Sequence, residues 1–253
     1  MKSLLILFTT FFFVLNSFSQ KVNVYQDGSM GVENIKAMVK PWGNNFVHTF
    51  DSRYEGVKGT PNLFNNLVNS YLMGSGQEKY IQVESDIDIL RNTVIFRDPS
   101  TRNLMEIPSD NVKELVFNIY NKDFIYRTTR GLKFEKKIKE NKFYQVIREE
   151  PYRLIMITFK SFVKADNEPT FNSGRHFDEY RTDRKYFLED SRGVFHQVIF
   201  NNITYDCIIH PSKLNKKGLA KIFPEKKEII YRAFEENPDS VTLQRIISIL
   251  DTF

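Results

Sequence analysis

Hydrophobic and polar residues alternate along much of the centre of the chain. The alternation is clearest from residue 80, where Ile81, Val83, Ile87 and Ile89 are separated by polar or acidic residues. A period of two places every apolar side chain on the same face of an extended strand. Further segments of this character are predicted as strands at 93–96, 104–107, 115–119, 124–128, 132–138, 143–148, 154–162, 184–188 and 194–200.

Short polar turns separate these predicted strands. Arg91-Asn92 forms a tight corner, and Asp98-Pro99-Ser100 makes the next turn. Residues 72–77, which carry Gly74-Ser75-Gly76, are predicted as another turn because glycine and serine favour turn conformations. Short turns join strands that pair antiparallel, so the pattern predicts a β meander. The polar segment 165–175 lacks any period and is predicted to be a surface loop.

The last forty residues have helical spacing instead. A first short helix is expected near 219–223 with Ser212 as its cap, and a second over 224–237 ends before Pro238. The third has the cleanest apolar stripe, at spacings of three and four residues: Leu243, Ile246, Ile247 and Leu250. We expect this stripe to pack on the sheet or on the preceding helix, and an exposed partner-binding face is the alternative.

These patterns together predict an α+β fold. A mainly antiparallel β meander is followed by two or three C-terminal α-helices within residues 212–253. Residues 20–253 are long enough to bury a substantial core as one domain.

The N-terminal segment has the layout of a secretory signal peptide. Lys2 gives a basic start, residues 4–15 are almost wholly apolar, and Ser17 and Ser19 supply small side chains before a cut. The apolar stretch is shorter than the roughly 20 residues that span a bilayer. We therefore expect residues 1–19 to be removed, Gln20 to be the mature N-terminus and the protein to be exported to the periplasm or the exterior. No transmembrane segment is expected in the mature chain.

Composition adds information about stability and partners. The 23 Phe and 12 Tyr fit a strand-rich body, since aromatic residues favour half-buried pleated surfaces. Cys207 is the single cysteine, so no internal disulfide forms and a buried, inert thiol is expected. The net charge is +5, but the lysines of 133–140 alternate with acids, and the basic run of 213–227 is typical of a solvated helix face. No nucleic-acid partner is expected.

The common local signatures of catalysis are missing from the sequence. It contains no G-x-S-x-G elbow, no phosphate-binding glycine loop, no dinucleotide fingerprint and no H-E-x-x-H zinc motif. A hydrolase would require His176 and Asp178 to converge with His196 or His210. The pairs His176/Asp178 and Cys207/His210 are too isolated to indicate a metal site. No catalytic residue, metal or cofactor is therefore predicted, and His196 is expected to be a half-buried structural histidine.

A turn-rich segment between aromatic residues is the predicted ligand surface. It contains two glycines and a proline within a few residues, which give it turn chemistry. The candidate binding residues are Arg53, Tyr54, Gly56, Gly59, Thr60 and Pro61. The 165–179 loop is a second candidate.

The same segment carries a resemblance to a known group of proteins. The pattern Y-x-G-x-x-G-T-P-x-L-F over 54–64, the segment 105–110, the strand residues 185–188 and a lysine-rich helical tail are similar to uncharacterised secreted proteins of Bacteroidetes. The resemblance implies a β-rich body and a diderm envelope setting, and it carries no activity. A non-enzymatic envelope binding or interaction protein is the leading expectation, with an envelope protein or surface ligand as partner. A secreted hydrolase and an envelope assembly or structural factor are the alternatives.

Overall fold

The computed structural model describes residues 57–138, 141–165, 177–198, 216–235 and 243–253. Its strands are β1 (Val68–Gly74), β2 (Ile81–Asp88), β3 (Thr93–Arg97), β4 (Leu104–Pro108), β5 (Val112–Ile119), β6 (Lys122–Thr128), β7 (Lys133–Phe134), β8 (Phe143–Arg148), β9 (Leu154–Val163), β10 (Glu179–Glu189) and β11 (Val194–Val198). Its α-helices are α1 (Lys216–Ile222), α2 (Lys227–Glu235) and α3 (Leu243–Leu250), with single 3-10 turns at Ser109–Asn111 and Pro224–Lys226.

The eleven strands form one sheet in the order β4-β3-β2-β1-β5-β6-β8-β9-β10-β11-β7. All neighbours pair antiparallel except β11 and β7, which are parallel. The longest pairing joins β9 to β10 over ten residue pairs. The predicted α+β class, a mainly antiparallel meander with C-terminal helices, is confirmed.

The first half of the sheet must curl, because β4 connects directly to β5. Four strand spacings, or about 19 Å in a flat sheet, separate these strands in the sheet order. The connection through Ser109–Asn111 spans about 14 Å at most. The concave side holds the first core, whose fully buried members include Leu72, Phe96, Ile107 and Phe117.

The second half of the sheet is covered on both faces. Along β9, Leu154 and Met156 contact the core formed with the helices, while Ile155 and Ile157 contact a separate core on the opposite face. Both faces are apolar, so the strand has a continuous apolar run in place of an alternation. The helices contribute their apolar stripes to the first of these two cores, through Leu219, Phe223, Ile230, Phe234, Ile246, Ile249 and Leu250.

The connection from β6 to β8 covers the opposite face. It crosses to the far edge of the sheet, where β7 pairs with β11, and Leu132, Phe134 and Ile138 pack on the underlying core. The strand predicted over 132–138 is therefore wrong beyond Lys133–Phe134. The apolar spacing that predicted the strand is satisfied by packing across the sheet and not by pairing along it.

The segment 57–64 joins the two halves of the sheet. Lys58 pairs with the start of β10, donating its N–H to Asp178 O at 2.9 Å and accepting the N–H of Tyr180 at 2.9 Å. At its other end Leu63 N donates to Ile87 O at 2.7 Å, and Ile89 N donates to Pro61 O at 3.1 Å. This segment, called the seam below, therefore links β2 to β10, which are far apart in the strand order.

Two further strand predictions need correction. Residues 72–74 belong to β1 and not to a turn, since the turn begins at Ser75. The pattern failed because the preceding core position is Ser70, whose hydroxyl bonds Val83 O and Ser85 Oγ inside the core. β10 begins at Glu179, five residues before the predicted start at 184, because the pairing with β9 extends over a polar stretch.

Other predictions fall outside the described residues. They concern the leader at 1–19, residues 166–176 of the predicted loop, residues 199–200 of the last strand, Ser212 and Cys207. None of the helices in the described part is long and apolar enough to cross a membrane.

Substitution of Gly59 by alanine is expected to destabilise the protein by about 2 kcal/mol. Its φ of +85° is unfavourable for any residue with a Cβ, and that Cβ would lie 3.3 Å from Tyr180 O. Gly76→Ala is the matched control, since Gly76 has a φ of +79° with nothing within 4 Å, and should cost about 1 kcal/mol. Urea unfolding measures both; equal losses would show that the close approach to Tyr180 is irrelevant.

Candidate functional site

A cavity of about 330 Å³ lies on the face of the sheet opposite the helices. Its lining combines cationic and apolar side chains: Lys136, Lys137, Ile138, Lys142, Phe159, Lys185, Phe187 and Gln197. The volume is at the lower end of the range of small-molecule sites, roughly 300–1,000 Å³. We call it the lysine cavity.

Three neighbouring strands supply the floor of the lysine cavity. Phe159 comes from β9, Lys185 and Phe187 from β10, and Gln197 from β11. Phe187 is paired directly with Gln197, and Lys185 is two residues before Phe187 on the same face. Alternation along paired strands therefore brings these four side chains together.

The connection between β6 and β8 supplies the other side of the cavity. It is fixed at β7, after which Glu135 N donates to Phe195 O at 3.0 Å. It is fixed again before β8, where Thr129 N donates to Lys142 O at 2.8 Å and Lys142 N donates to Thr129 Oγ1 at 2.9 Å. Backbone bonds at both ends hold its lysines against the sheet.

The cavity has a strongly positive lining. Of the eight described residues that line it, four are lysines and none is acidic. Asp183 Oδ2 lies 3.5 Å from Lys185 Nζ. The same ammonium lies 5.0 Å from the centre of the Phe159 ring, which attracts it through the ring's negative face. An anion entering the cavity would meet ammonium groups next to aromatic surface.

The residues of the predicted ligand surface occupy a different place, in and near the seam. Thr60 O accepts a hydrogen bond from the ammonium group of Lys160 at 2.8 Å, and Thr60 Oγ1 accepts one from Asn62 N at 3.2 Å. Gly59 lies against Tyr180, and Pro61 is bonded to β2. Arg53, Tyr54 and Gly56 lie outside the described residues. The described candidates, Gly59, Thr60 and Pro61, thus lie in a segment whose backbone is hydrogen-bonded to β2 and β10. Their role in ligand binding stays a prediction.

Buried charge lies directly beneath the seam. Asp86 is 2% exposed and accepts the backbone N–H groups of Phe64 at 3.0 Å and Ile87 at 2.7 Å. Burial raises its pKa to about 7, although these two bonds and the charge of Lys160 lower it in part. Burial also lowers the pKa of Lys160. Asp86 therefore accepts a hydrogen bond from the seam at Phe64, and Lys160 donates one to the seam at Thr60.

His196 is held between two carboxylates. Its Nε2 lies 3.1 Å from Asp190 Oδ2 and its Nδ1 lies 3.3 Å from Glu135 Oε2. Burial would raise the pKa of Asp190, but bonds from Val194 N, His196 and Arg192 outweigh it and keep that pKa well below its usual value. Both ring nitrogens therefore lie against carboxylates of the protein itself. The predicted structural role for His196 fits this geometry.

The residues required for a hydrolase are only partly described. His176 and His210 lie outside the described residues. His196 pairs with Leu188 at the end of β10, whereas Asp178 precedes its first residue, roughly 30 Å away along the strand. Asp178 instead accepts Ala165 N at 2.6 Å. Asp178 and His196 therefore do not converge. Among the described residues there is also no group of three metal-ligating side chains.

Comparison of the chain with protein-family models, with curated proteins and with solved structures finds no match.

Sequence reasoning missed the lysine cavity. It placed the lysines of 133–138 on a predicted strand with interleaved acids, and it treated Lys185 as part of another strand. The missing information was the crossing of the sheet after β6, which brings Lys136 and Lys137 to Lys185. The sequence alone shows on which face of its own strand each of Phe159 and Lys185 lies. Only the pairing of β9 with β10 shows that the two side chains share one face of the sheet.

The stability of the protein is expected to fall between pH 4 and pH 7 because of Asp86. Its pKa is about 7 in the folded protein and about 4 in an unfolded chain, so folding favours the protonated acid and the benefit disappears as pH rises through 7. The free energy of unfolding should decrease by up to about 4 kcal/mol across this window. Asp86→Asn should remove the decrease in urea unfolding, and Asp123→Asn, an exposed control, should retain it. The idea fails if the wild type has the same stability at pH 4 and pH 7. Asp190 titrates in a separate window below pH 4, where stability is lost as pH falls.

Proposed function

We propose that this protein is an exported, non-enzymatic binding protein of the cell envelope and that the lysine cavity holds an anionic ligand. The observation that supports it is the lining, in which four lysines face one space without an acid among them. The leader-like pattern of residues 1–19 supports export.

The electrostatics of the cavity favour an anion over a neutral or cationic ligand. Ammonium groups that share one space repel one another, and an anion in that space relieves the repulsion. Lys136 and Lys137 are exposed, so they are accessible to a ligand from solvent. Lys142 and Lys185 are half-buried, and charges in partly buried places are less screened by salt.

The cavity offers binding groups and few groups for catalysis. Its described polar members are lysines and Gln197, and the described lining includes no histidine, carboxylate, serine or cysteine that could act together with a lysine. Asp86, whose pKa is raised to about 7, lies beneath the seam and bonds the backbone of Phe64. These observations favour recognition over turnover.

Phenyl phosphate is expected to bind the purified protein and to depend on the exposed lysines. Lys136→Gln combined with Lys137→Gln should weaken binding about tenfold, which corresponds to about 1.4 kcal/mol. Titration calorimetry at low salt measures the affinity, and added salt should weaken it because exposed charges are screened.

Lys113→Gln combined with Lys122→Gln is the matched control. Both lysines are exposed on β5 and β6, away from the cavity, and the pair removes the same charge. This control should bind phenyl phosphate like the wild type. Equal weakening by both double variants would mean that net charge alone attracts the anion, and the cavity would lose its proposed role.

The exported form is expected to begin at Gln20. Mass spectrometry of the protein isolated from the envelope of its natural cells should detect an N-terminal peptide that starts there, because Ser17 and Ser19 provide small residues before the cut. A protein that keeps Met1 and remains inside the cell would refute the export proposal, while the binding experiment would still stand.

A further inference from the structure

We infer that the ligand of the lysine cavity is a single-chain amphiphile with one anionic head and a short apolar body. This inference rests on the proposed function and makes its ligand more specific. It follows from the division of the lining into cationic and apolar parts and from the size of the space.

The apolar part of the lining is continuous. Ile138 and Phe159 are half-buried, so a ligand can contact them from solvent. Phe187 is 6% exposed and forms the buried base of the same surface. Phe187 is supported from below by Phe134, whose ring centre lies 5.2 Å away in an edge-to-face arrangement. Apolar atoms form most of the cavity's surface. An inorganic anion would contact the lysines and leave that surface covered only by water.

The cationic part lies directly beside the apolar part. Lys185 Nζ sits over the Phe159 ring at 5.0 Å, and Lys136 and Lys137 precede Ile138 in the chain. A ligand whose head reaches these ammonium groups therefore brings its next atoms onto Phe159 and Ile138. Carboxylate and phosphate heads share this chemistry, since both accept charge-assisted hydrogen bonds from ammonium groups.

The cavity is open on one side, so its size sets how much of a ligand it can cover. Its 330 Å³ equals about eleven water molecules at roughly 30 Å³ each. An eight-carbon carboxylate, with about ten non-hydrogen atoms, fills such a space, whereas a two-chain phospholipid greatly exceeds it. The cavity therefore suits a single short chain, or the head and first part of a longer one.

Calorimetric titration of the purified protein with octanoate, acetate and 1-octanol tests this inference. Octanoate should bind at least about tenfold more tightly than acetate, because each methylene group that leaves water adds affinity. It should also bind at least about tenfold more tightly than 1-octanol, which lacks the charge. Octyl phosphate should behave like octanoate if the head group is read by charge, and a preference of more than tenfold for either would identify the natural head.

Two variants separate the contributions of head and body. Lys136→Gln with Lys137→Gln should weaken octanoate about tenfold and leave 1-octanol unchanged. Ile138→Thr, which keeps a β-branched side chain but replaces an ethyl group by a hydroxyl, should weaken octanoate severalfold and leave acetate nearly unchanged. Thermal unfolding of each variant checks that the fold is intact, and Lys113→Gln with Lys122→Gln again controls for net charge.

The outcomes distinguish this inference from the function on which it rests. If phenyl phosphate binds through Lys136 and Lys137 but octanoate is no better than acetate, the amphiphile is refuted and the anion site stands. If no anion depends on these lysines, both proposals fall. Binding to phosphatidylglycerol vesicles without binding to monomeric octanoate would also overturn the inference, because it would indicate a membrane surface and not a single chain as the ligand.

Discussion

The pairing of β9 with β10 is the constraint on which the rest of the structure depends. Over ten residue pairs it fixes which side chains face the helices and which face the opposite side. Leu154, Met156 and Leu188 meet the helices, while Phe159 and Lys185 meet the lysine cavity. A slip of one residue would exchange the two sets, burying a lysine beneath the helices and exposing leucines. One register therefore determines both the core beneath the helices and the candidate site.

The seam imposes a second constraint, and it uses charge. Its backbone pairs with β2 at one end and with β10 at the other, so the two halves of the sheet are joined through a few residues. Asp86 and Lys160 bond the backbone of this segment at Phe64 and Thr60. A charged group with little access to water costs free energy unless it is bonded, and here the backbone supplies those bonds. The protonation of Asp86 is thus linked to the hydrogen bonding of the seam that connects β2 with β10.

The sequence predicted the fold class well because local patterns determine it. Strands with one buried face and helices with one apolar stripe were found near their observed positions, as for β3 and α3. The errors occurred where long-range packing decides. Ser70 is polar yet buried by bonds within the core, and Ile138 is apolar yet packs across the sheet instead of extending a strand along it. The lysine cavity was missed for the same reason, since its lysines come from segments that the chain brings together only through tertiary structure.

Without a ligand, the ammonium groups of the lysine cavity repel one another, which costs the folded protein free energy. A sphere of 330 Å³ is about 9 Å across, close to the screening length of roughly 8 Å at physiological salt. At about this separation dissolved ions already screen much of the repulsion between the ammonium groups, so that repulsion is strongest at low salt. Asp183, whose Oδ2 lies 3.5 Å from Lys185 Nζ, offsets part of it. Uncharged polar side chains would keep the same segment solvated without this repulsion. The surrounding backbone bonds at Thr129, Glu135 and Lys142 hold the arrangement despite it. Preorganised charge of this kind stabilises the protein when an anion binds, because the ligand favours the folded state alone.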